Sequence, residues 1–469
     1  MAQESFKVLI AGGSLVGLTL ALVLEQAGID YELFEKGDLA PQLGASIGLH
    51  PHSLRILDQL GVWPDIEKTI IPLHYRYHFD ENGRCMEESR VLQDIHQILT
   101  YPIIFMERCE ALRIVHSHIA NPSKLHAHNG VVAYDETTDG VVVTTADGNP
   151  HRGDILIGAD GIHSRVRQLM AEKIHQTDRV ASEKITKAFT SEYKCIFAVS
   201  RNDPASPFLP DATVHNVYHS QHSAVAASGV SGLVFWFLFV KTPLTTTPSC
   251  PRFTDDDANR LIEEYATVAP GPGYTIKDLW EARVKGSLVP LEEGIVPQWS
   301  HGRVQLLGDA IHKVTINAGL GGNLAFEGIS HFSNSLTSLL QQSPSPSLEQ
   351  LTSLFQNFER THRPRATTVL GVSGQITRYE AQDTGFLKFA AKHLSPWVPD
   401  IWKAKLYASF SNGAPHLDFL PLKEQEAVQR SAMTSTGYLY PGLVLTGAAV
   451  VAGAAVVWRG FRLSDATLS

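Results

Sequence analysis

Three short stretches of this 469-residue chain carry residues suited to gripping phosphate and sugar. The first is Gly12-Gly13-Ser14-Leu15-Val16-Gly17. Its first glycine permits a tight turn, and its last lets a helix pack closely on the preceding strand. The small middle residue lets backbone N–H groups approach a pyrophosphate at the helix start. Serine replaces the usual second glycine and is small enough for the purpose. Glu35 follows 23 residues after Gly12, where an acid can accept hydrogen bonds from a ribose diol. The second stretch is Gly158-Ala159-Asp160-Gly161, with Ser164, Arg165 and Arg167 behind it. The third is Gly308-Asp309-Ala310-Ile311-His312, followed by Gly319-Leu320-Gly321-Gly322-Asn323. Asp309 in this setting is either a cofactor ligand or a helix N-cap, and His312 reads as a packed or capping histidine.

The elements around the first stretch form one βαβ unit. Phe6–Ala11 is an apolar strand, and Leu15, Leu18, Leu22 and Val23 give a helical stripe that Gly28 ends. Ile29–Phe34 is the second strand, joined by a right-handed crossover. Further on, Gly48–Leu60 reads as a helix, His74–Glu87 as a strand pair around Asn82-Gly83, and Glu107–Ile119 as a helix opened by Arg108. Val131–Ala146, Asp154–Ile157 and Val304–Leu307 read as strands, and a helix is expected from about Leu324 to Leu340. The stretch Ala188–Lys241 is strand-rich. Within it Gly232–Val240 is too short for a membrane helix and reads as a buried strand. Its aromatics Phe235, Trp236, Phe237 and Phe239 are core, with alternation leaving one side free to line an apolar pocket.

Composition narrows the class. Lys plus Arg number 39 against 48 Asp plus Glu, a net charge of −9, which excludes a nucleic-acid partner of the basic-stripe kind. Cys85, Cys109, Cys195 and Cys250 stand apart with no CxxC pair, so neither a disulfide framework nor a metal site is expected. The N-terminus has no secretory pattern. Near the other end, Tyr438–Trp458 runs 21 residues without a charge and is followed by Arg459 and Arg462. Such a run reads as a single-pass transmembrane helix or as a buried Ala/Gly-rich helix.

The three motifs, in this order and at these separations, resemble those of the flavoprotein monooxygenases of the para-hydroxybenzoate hydroxylase type, over about Phe6 to Arg378. The resemblance implies an α/β fold: a Rossmann-like FAD-binding domain of the glutathione-reductase type interleaved with a β-sheet substrate domain, to which the tail adds a C-terminal transmembrane helix. The FAD domain is expected over 1–73, 99–180 and 296–380, and the substrate domain over 74–98 and 181–295. A helical region would span 381–437 and the membrane segment 438–458. By the same resemblance FAD is held by Gly12, Gly13, Ser14, Gly17, Glu35, Gly48, Arg108, Asp160, Asp309, Gly321, Gly322 and Asn323. Asp309 would meet the ribityl chain and Arg108 the phosphates or ribityl. Gly44–Gly48 would lie over the cofactor, the glycines after Gly319 would face the flavin, and Asp160 would tie strand to loop. A second dinucleotide fingerprint is not found, which fits a reduced nicotinamide that docks briefly and leaves.

Within that family, "GGSLVGLTLALVLEQAGI", "GASIGLHPHSLRILDQLG", "VFWFLFVK" and the hydrophobic tail look like the fungal FAD-dependent epoxidases of meroterpenoid and indole-diterpene biosynthesis. This likeness implies NAD(P)H and O2 as co-substrates and a flavin C4a-hydroperoxide that epoxidises the terminal alkene of a lipophilic prenylated intermediate. It further implies a membrane-bound terpene cyclase downstream and an endoplasmic-reticulum-like anchor with a cytosolic catalytic body. Tyr218 is the candidate catalytic residue, with core packing as its other reading. Two alternatives remain beside epoxidation: hydroxylation of a phenolic polyketide ring, and a non-catalytic isoprenoid escort resembling the GDP-dissociation inhibitors.

Overall fold

The computed structural model describes residues 5–40 and 46–422. Apolar strands, each too short to bury itself, assemble into two main sheets. In the first, Lys7–Ala11 is central and pairs in parallel with Asp30–Phe34 on one side and Ile155–Gly158 on the other. Val304–Leu306 extends the sheet in parallel beyond Ile155–Gly158, and Leu125–His126 closes its far edge. Strands buried on both faces are expected to be continuous apolar runs, and Val8, Leu9, Ile10, Ile155, Leu156 and Ile157 are all fully buried. The parallel arrangement places the C-terminal ends of three neighbouring strands at one edge. Those ends carry Gly12, Gly158-Asp160 and Gly308, so stretches distant in sequence meet where open α/β sheets bind ligands.

The second sheet has eight strands: Tyr75–Phe79, Cys85–Ser89, Thr190–Arg201, Thr213–His219, His222–Val230, Leu233–Thr246, Arg283–Ile295 and the short edge strand His312–Lys313. Alternation divides its two faces. Trp236 and Leu238, with Ile196, Ala198, Ala224 and Ala226, pack beneath the helices Asp255–Glu264 and Ile276–Glu281. Phe237, Phe239, Cys195 and Val225 point the other way, where Phe105 and Ile316, from outside this sheet, join them.

Three local boundaries differ from the sequence reading. Gly48 and Leu49 belong to a strand, Ser46–Leu49, paired with Ile104–Glu107, and the helix starts only at Pro51. Proline suits a first helical position, and the backbone ahead of it is held extended by tertiary bonds. The later helix begins at Leu320 rather than near Leu324, because Gly319 adopts φ +65° and turns the chain directly into it. The Arg108–Ser117 helix has Glu107 as its N-cap, still in extended backbone.

The membrane expectation does not stand. Among the described residues no helix is long and apolar enough to cross a membrane. The two longest, Leu320–Gln342 and Leu348–Glu380, bury Glu327 and carry Arg360, Arg363, Arg365 and Arg378. The segment 438–458 lies outside the described residues, so the C-terminal transmembrane helix and the single-pass membrane localisation are unsupported.

Candidate active site

The first glycine turn is shaped by contacts that leave no room for a side chain. Gly12 has φ +106°, and a Cβ there would lie 2.6 Å from the Ala159 carbonyl oxygen. A Cβ at Gly17 would lie 1.8 Å from the Gly12 carbonyl oxygen. The Gly13 N–H donates to Glu35 Oε2 at 2.6 Å and the Gly37 N–H to Oε1 at 2.9 Å, so the acid braces the turn and keeps lone pairs for a further donor. Ser14 is the N-cap of the Leu15–Gln26 helix, yet its hydroxyl does not cap it, and no acid stands in the first turn. That hydroxyl instead accepts a hydrogen bond from Arg108 Nη2 at 2.7 Å. The first-turn N–H donors thus have no side-chain partner at the positive end of the helix dipole, which fits a pyrophosphate.

Arg108 also links this turn to the third stretch. Asp309 is ion-paired with Lys313 and is 30% exposed. Burial works against its charge, but Lys313 and Arg108 hold the carboxyl below its ordinary range. Gly308 has φ +62°, and a Cβ there would meet Val16 Cγ2 at 2.7 Å. Asp160 faces its own loop: it accepts from Ser164 Oγ at 2.5 Å, the Arg165 N–H at 2.7 Å and the Val166 N–H at 3.1 Å. It therefore takes the first two N–H groups of the Arg165–His175 helix, whose N-cap is Ser164, and burial raises its carboxyl despite these bonds. From that helix, Arg167 Nη1 donates to the Ala310 carbonyl at 2.9 Å, tying the second stretch to the third.

The glycine-rich turn completes the arrangement. Gly319 is the N-cap of the Leu320–Gln342 helix, whose first turn holds no acid and no side-chain cap. Asn323 spends its side chain locally: Oδ1 accepts from the His50 N–H at 2.9 Å, and Nδ2 donates to the Gly48 carbonyl at 2.9 Å and the Gly319 carbonyl at 2.6 Å. Its visible part is to hold the Ser46–Leu49 strand against the helix start. Gly48 faces the Phe105 ring and Gly319, while Gly322 faces Ile47 and Leu15. A Cβ at Gly321 would make only an ordinary contact with Val314, at 3.6 Å. Gly44 and Ala45 lie outside the described residues.

The sequence profile of a family described as FAD binding domain matches residues 5–353. The FAD-dependent monooxygenase spyC of Aspergillus fumigatus is 35% identical over 433 residues, covering 91% of this chain and 90% of that protein. This chain belongs to the FAD-dependent monooxygenase family. Another member, dpasE of Apiospora sacchari, is 31% identical over 99% of this chain and 100% of its own length. Among solved structures, HpxO of Klebsiella pneumoniae complexed with FAD and uric acid shares the fold. It has a TM-score of 0.71 at 19% identity, over 87% of this chain and 97% of that one. The tetracycline destructase Tet(51) matches with a TM-score of 0.62 at 15% identity, over 88% and 99%.

Membership makes FAD the cofactor of this monooxygenase, with O2 and the NAD(P)H typical of the family as co-substrates of a small molecule. It removes the escort alternative. Tyr218 lies on Thr213–His219, 2% exposed, with its ring 5.3 Å from His78 and 5.7 Å from Tyr379. Burial first, then Glu380, pushes its phenol well above the ordinary value, so it stays protonated. His312 is buried, with Nε2 3.1 Å from His362 Nε2, and burial lowers it to about 4. Where no metal site was expected, Glu32, His126 and His151 bring ligand atoms within 4.8 Å of one another, though Lys7 Nζ already donates to Glu32 Oε1 at 2.8 Å.

Sequence reasoning missed a polar group beside Tyr218. Arg76 Nε donates to Asn216 Oδ1 at 3.1 Å, and its Nη2 lies 3.7 Å from Glu380 Oε1. Asn317 Nδ2 donates to Glu380 Oε2 at 2.7 Å. The signal available was a glutamate as the last residue of a long helix, beside the negative end of its dipole, where a carboxylate is disfavoured without a partner.

Proposed function

We propose that this monooxygenase uses NAD(P)H and O2 to epoxidise the terminal alkene of a prenylated, lipophilic intermediate. The observation that carries the reading is the inner face of the second sheet. The half-buried Phe197, Phe237 and Val289 form an apolar wall there, backed by the buried Phe239 and Val225 and extended by Phe105 and by Ile316, just ahead of the glycine-rich turn. Such a wall stabilises a hydrocarbon chain by about 25 cal/mol per Å² of apolar surface removed from water, and offers it no competing hydrogen bonds. FAD, held by the glycine turn, Arg108 and Asp309, supplies the oxygen-activating chemistry. The chain's own part is to exclude water and to lay the alkene across this wall. Tyr218 packs apart from this wall, against Tyr379 and against Leu387, Ala390 and Ala391 of the Gly385–His393 helix, which favours its core-packing reading.

Hydroxylation of a phenolic ring has one observation in its favour. Arg76 stands half-buried beside Tyr218 and could face a phenolate. Incubation of the FAD-loaded enzyme with a prenylated phenol, NADPH and O2 separates the two. Epoxidation adds one oxygen to the prenyl terminus and leaves the ring unchanged. Ring hydroxylation with the alkene intact overturns the proposal.

A further inference from the structure

Glu380 ends the Leu348–Glu380 helix and is 1% exposed. Its Oε2 accepts a hydrogen bond from Asn317 Nδ2 at 2.7 Å, and its Oε1 faces Arg76 Nη2 at 3.7 Å. Asn317 lies two residues before Gly319, and its Oδ1 is 2.8 Å from the hydroxyl of Thr377, one turn back on the helix that carries Glu380. Arg76 comes from the Tyr75–Phe79 strand of the substrate sheet and is fixed at Nε by Asn216. One carboxyl therefore touches a long helix, the turn that precedes the glycine-rich helix start, and the substrate sheet.

The charged and titratable groups around it come from each of these elements. They are Arg76 on its strand, Tyr218 on Thr213–His219, and Tyr379 on its own helix, with Glu87 of the Cys85–Ser89 strand beyond Tyr218. Arg378, two residues earlier on the same helix, is committed elsewhere, to Glu192 at 3.0 Å and Glu293 at 2.7 Å. Arg76 is thus the one cation facing Glu380 among the described residues, and it approaches at more than hydrogen-bond distance. Burial pushes the carboxyl up to about 7, against the opposing pull of Arg76 and the Asn317 hydrogen bond. Its two forms are therefore both accessible near neutral pH.

We propose that Glu380 is a positioning residue of the oxygenation site, acting through Asn317. Ionised, it draws Arg76 and Asn317 to one point and locks the glycine-rich turn against the substrate sheet. Protonated by solvent, it releases Arg76 and loosens the turn, and with it the apolar wall to which Ile316 belongs. The inference rests on reading the Gly319 turn as a border of the flavin and the wall as the substrate site.

The test uses FAD-loaded enzyme without substrate, its flavin absorbance titrated across about pH 5.5 to 8.5. The wild type should show an inflection near pH 7. Glu380→Gln keeps the shape and the Asn317 bond but cannot ionise. It should bind FAD at the wild-type stoichiometry, lose the inflection and hold the acid-side spectrum throughout. Asn317→Ala should flatten the titration with Glu380 intact. In turnover with a prenylated phenol, the fraction of NADPH oxidised that ends as H2O2 should rise several-fold in both variants at alkaline pH. An inflection that survives in Glu380→Gln, or a wild type without one, overturns the proposal. Should Glu380→Gln not fold as a holoprotein, Asn317→Ala decides alone, and a retained inflection there overturns it equally. A wild type that binds no FAD would instead refute the assignment of the site. An H2O2 yield that no variant changes, beside an altered titration, would refute only the reading of the wall.

Discussion

Arg108→Ala separates cofactor binding from folding more cleanly than any other change in the site. The side chain is exposed, so its removal opens no cavity. What is lost is the hydrogen bond from Nη2 to Ser14 Oγ at 2.7 Å, together with one of the two cations that keep Asp309 charged. If the guanidinium also meets a phosphate or the ribityl chain, the variant forfeits a charge-assisted bond of about 1.5–3 kcal/mol, or roughly 10- to 150-fold in FAD affinity. Stability of the FAD-free chain should change by no more than about 0.5 kcal/mol, as for an ordinary surface substitution. Arg108→Lys should recover only part of the affinity, since an ammonium cannot present the planar fork. The assay is titration of stripped enzyme with FAD, followed by flavin fluorescence, beside thermal melts of the FAD-free variants. An Arg108→Ala dissociation constant within about threefold of wild type would refute the reasoning. So would a loss of FAD-free stability large enough to explain the weaker binding, because Arg108 would then be a brace between segments and not a cofactor ligand.

Gly17→Ala places a Cβ 1.8 Å from the Gly12 carbonyl oxygen, so the turn must open. Loss of FAD and a destabilisation of about 1–3 kcal/mol or more should appear in flavin-to-protein ratio and urea unfolding. Asp160→Ala removes the acceptor of the Arg165 and Val166 N–H groups and should cost about 1–2 kcal/mol in melting experiments, while excess FAD still binds. Glu380 should make stability pH-dependent. Its folded value of about 7 stands above the ordinary 4.5, so its contribution is full below 4.5 and is lost as pH rises through 7. The difference of about 2.5 units corresponds to roughly 3 kcal/mol, and Glu380→Gln melts should lack that part of the pH slope.

The glycine stretches were legible in sequence because each works through backbone geometry that only a small residue permits. Gly12, Gly17, Gly308 and Gly319 all prove to sit at close approaches or positive φ. The first βαβ unit was legible for a related reason, since a buried parallel strand is a continuous apolar run. The strand at Ser46–Leu49 was not. Nothing local distinguishes it from a helix start, and what keeps it extended is its pairing with Ile104–Glu107 together with Asn323, more than 270 positions later, bonding the Gly48 carbonyl and the His50 N–H. The group of Arg76, Asn317 and Glu380 was hidden for the same reason: the bonds that define it join residues 63 and 304 positions apart. Asn323 shows the opposite limit. Its place in a glycine motif suggested a cofactor contact, and only the geometry shows its hydrogen bonds committed to the protein itself.

The shared fold leaves substrate specificity to side chains, and the proposed function puts it on one face of the second sheet. At 19% identity HpxO, whose structure holds FAD and uric acid, has this architecture, so the scaffold alone does not select a hydrocarbon. On the proposed reading, the face offered to substrate is set by the register of Leu233–Thr246, where Phe237 pairs with Phe197 and Val225 on the inner face while Trp236 pairs with Ala198 and Ala226 on the outer one. The small alanines make room for the indole under the helices, and its N–H is satisfied by Ser200 Oγ at 2.8 Å. A slip of one residue would put that indole on the inner face with its N–H unpaired, and drive phenyl rings into the space between two alanines. The aromatic wall is therefore fixed from behind: the packing that stabilises the outer face also holds Phe237 on the inner one, in the cluster that Ile316 joins.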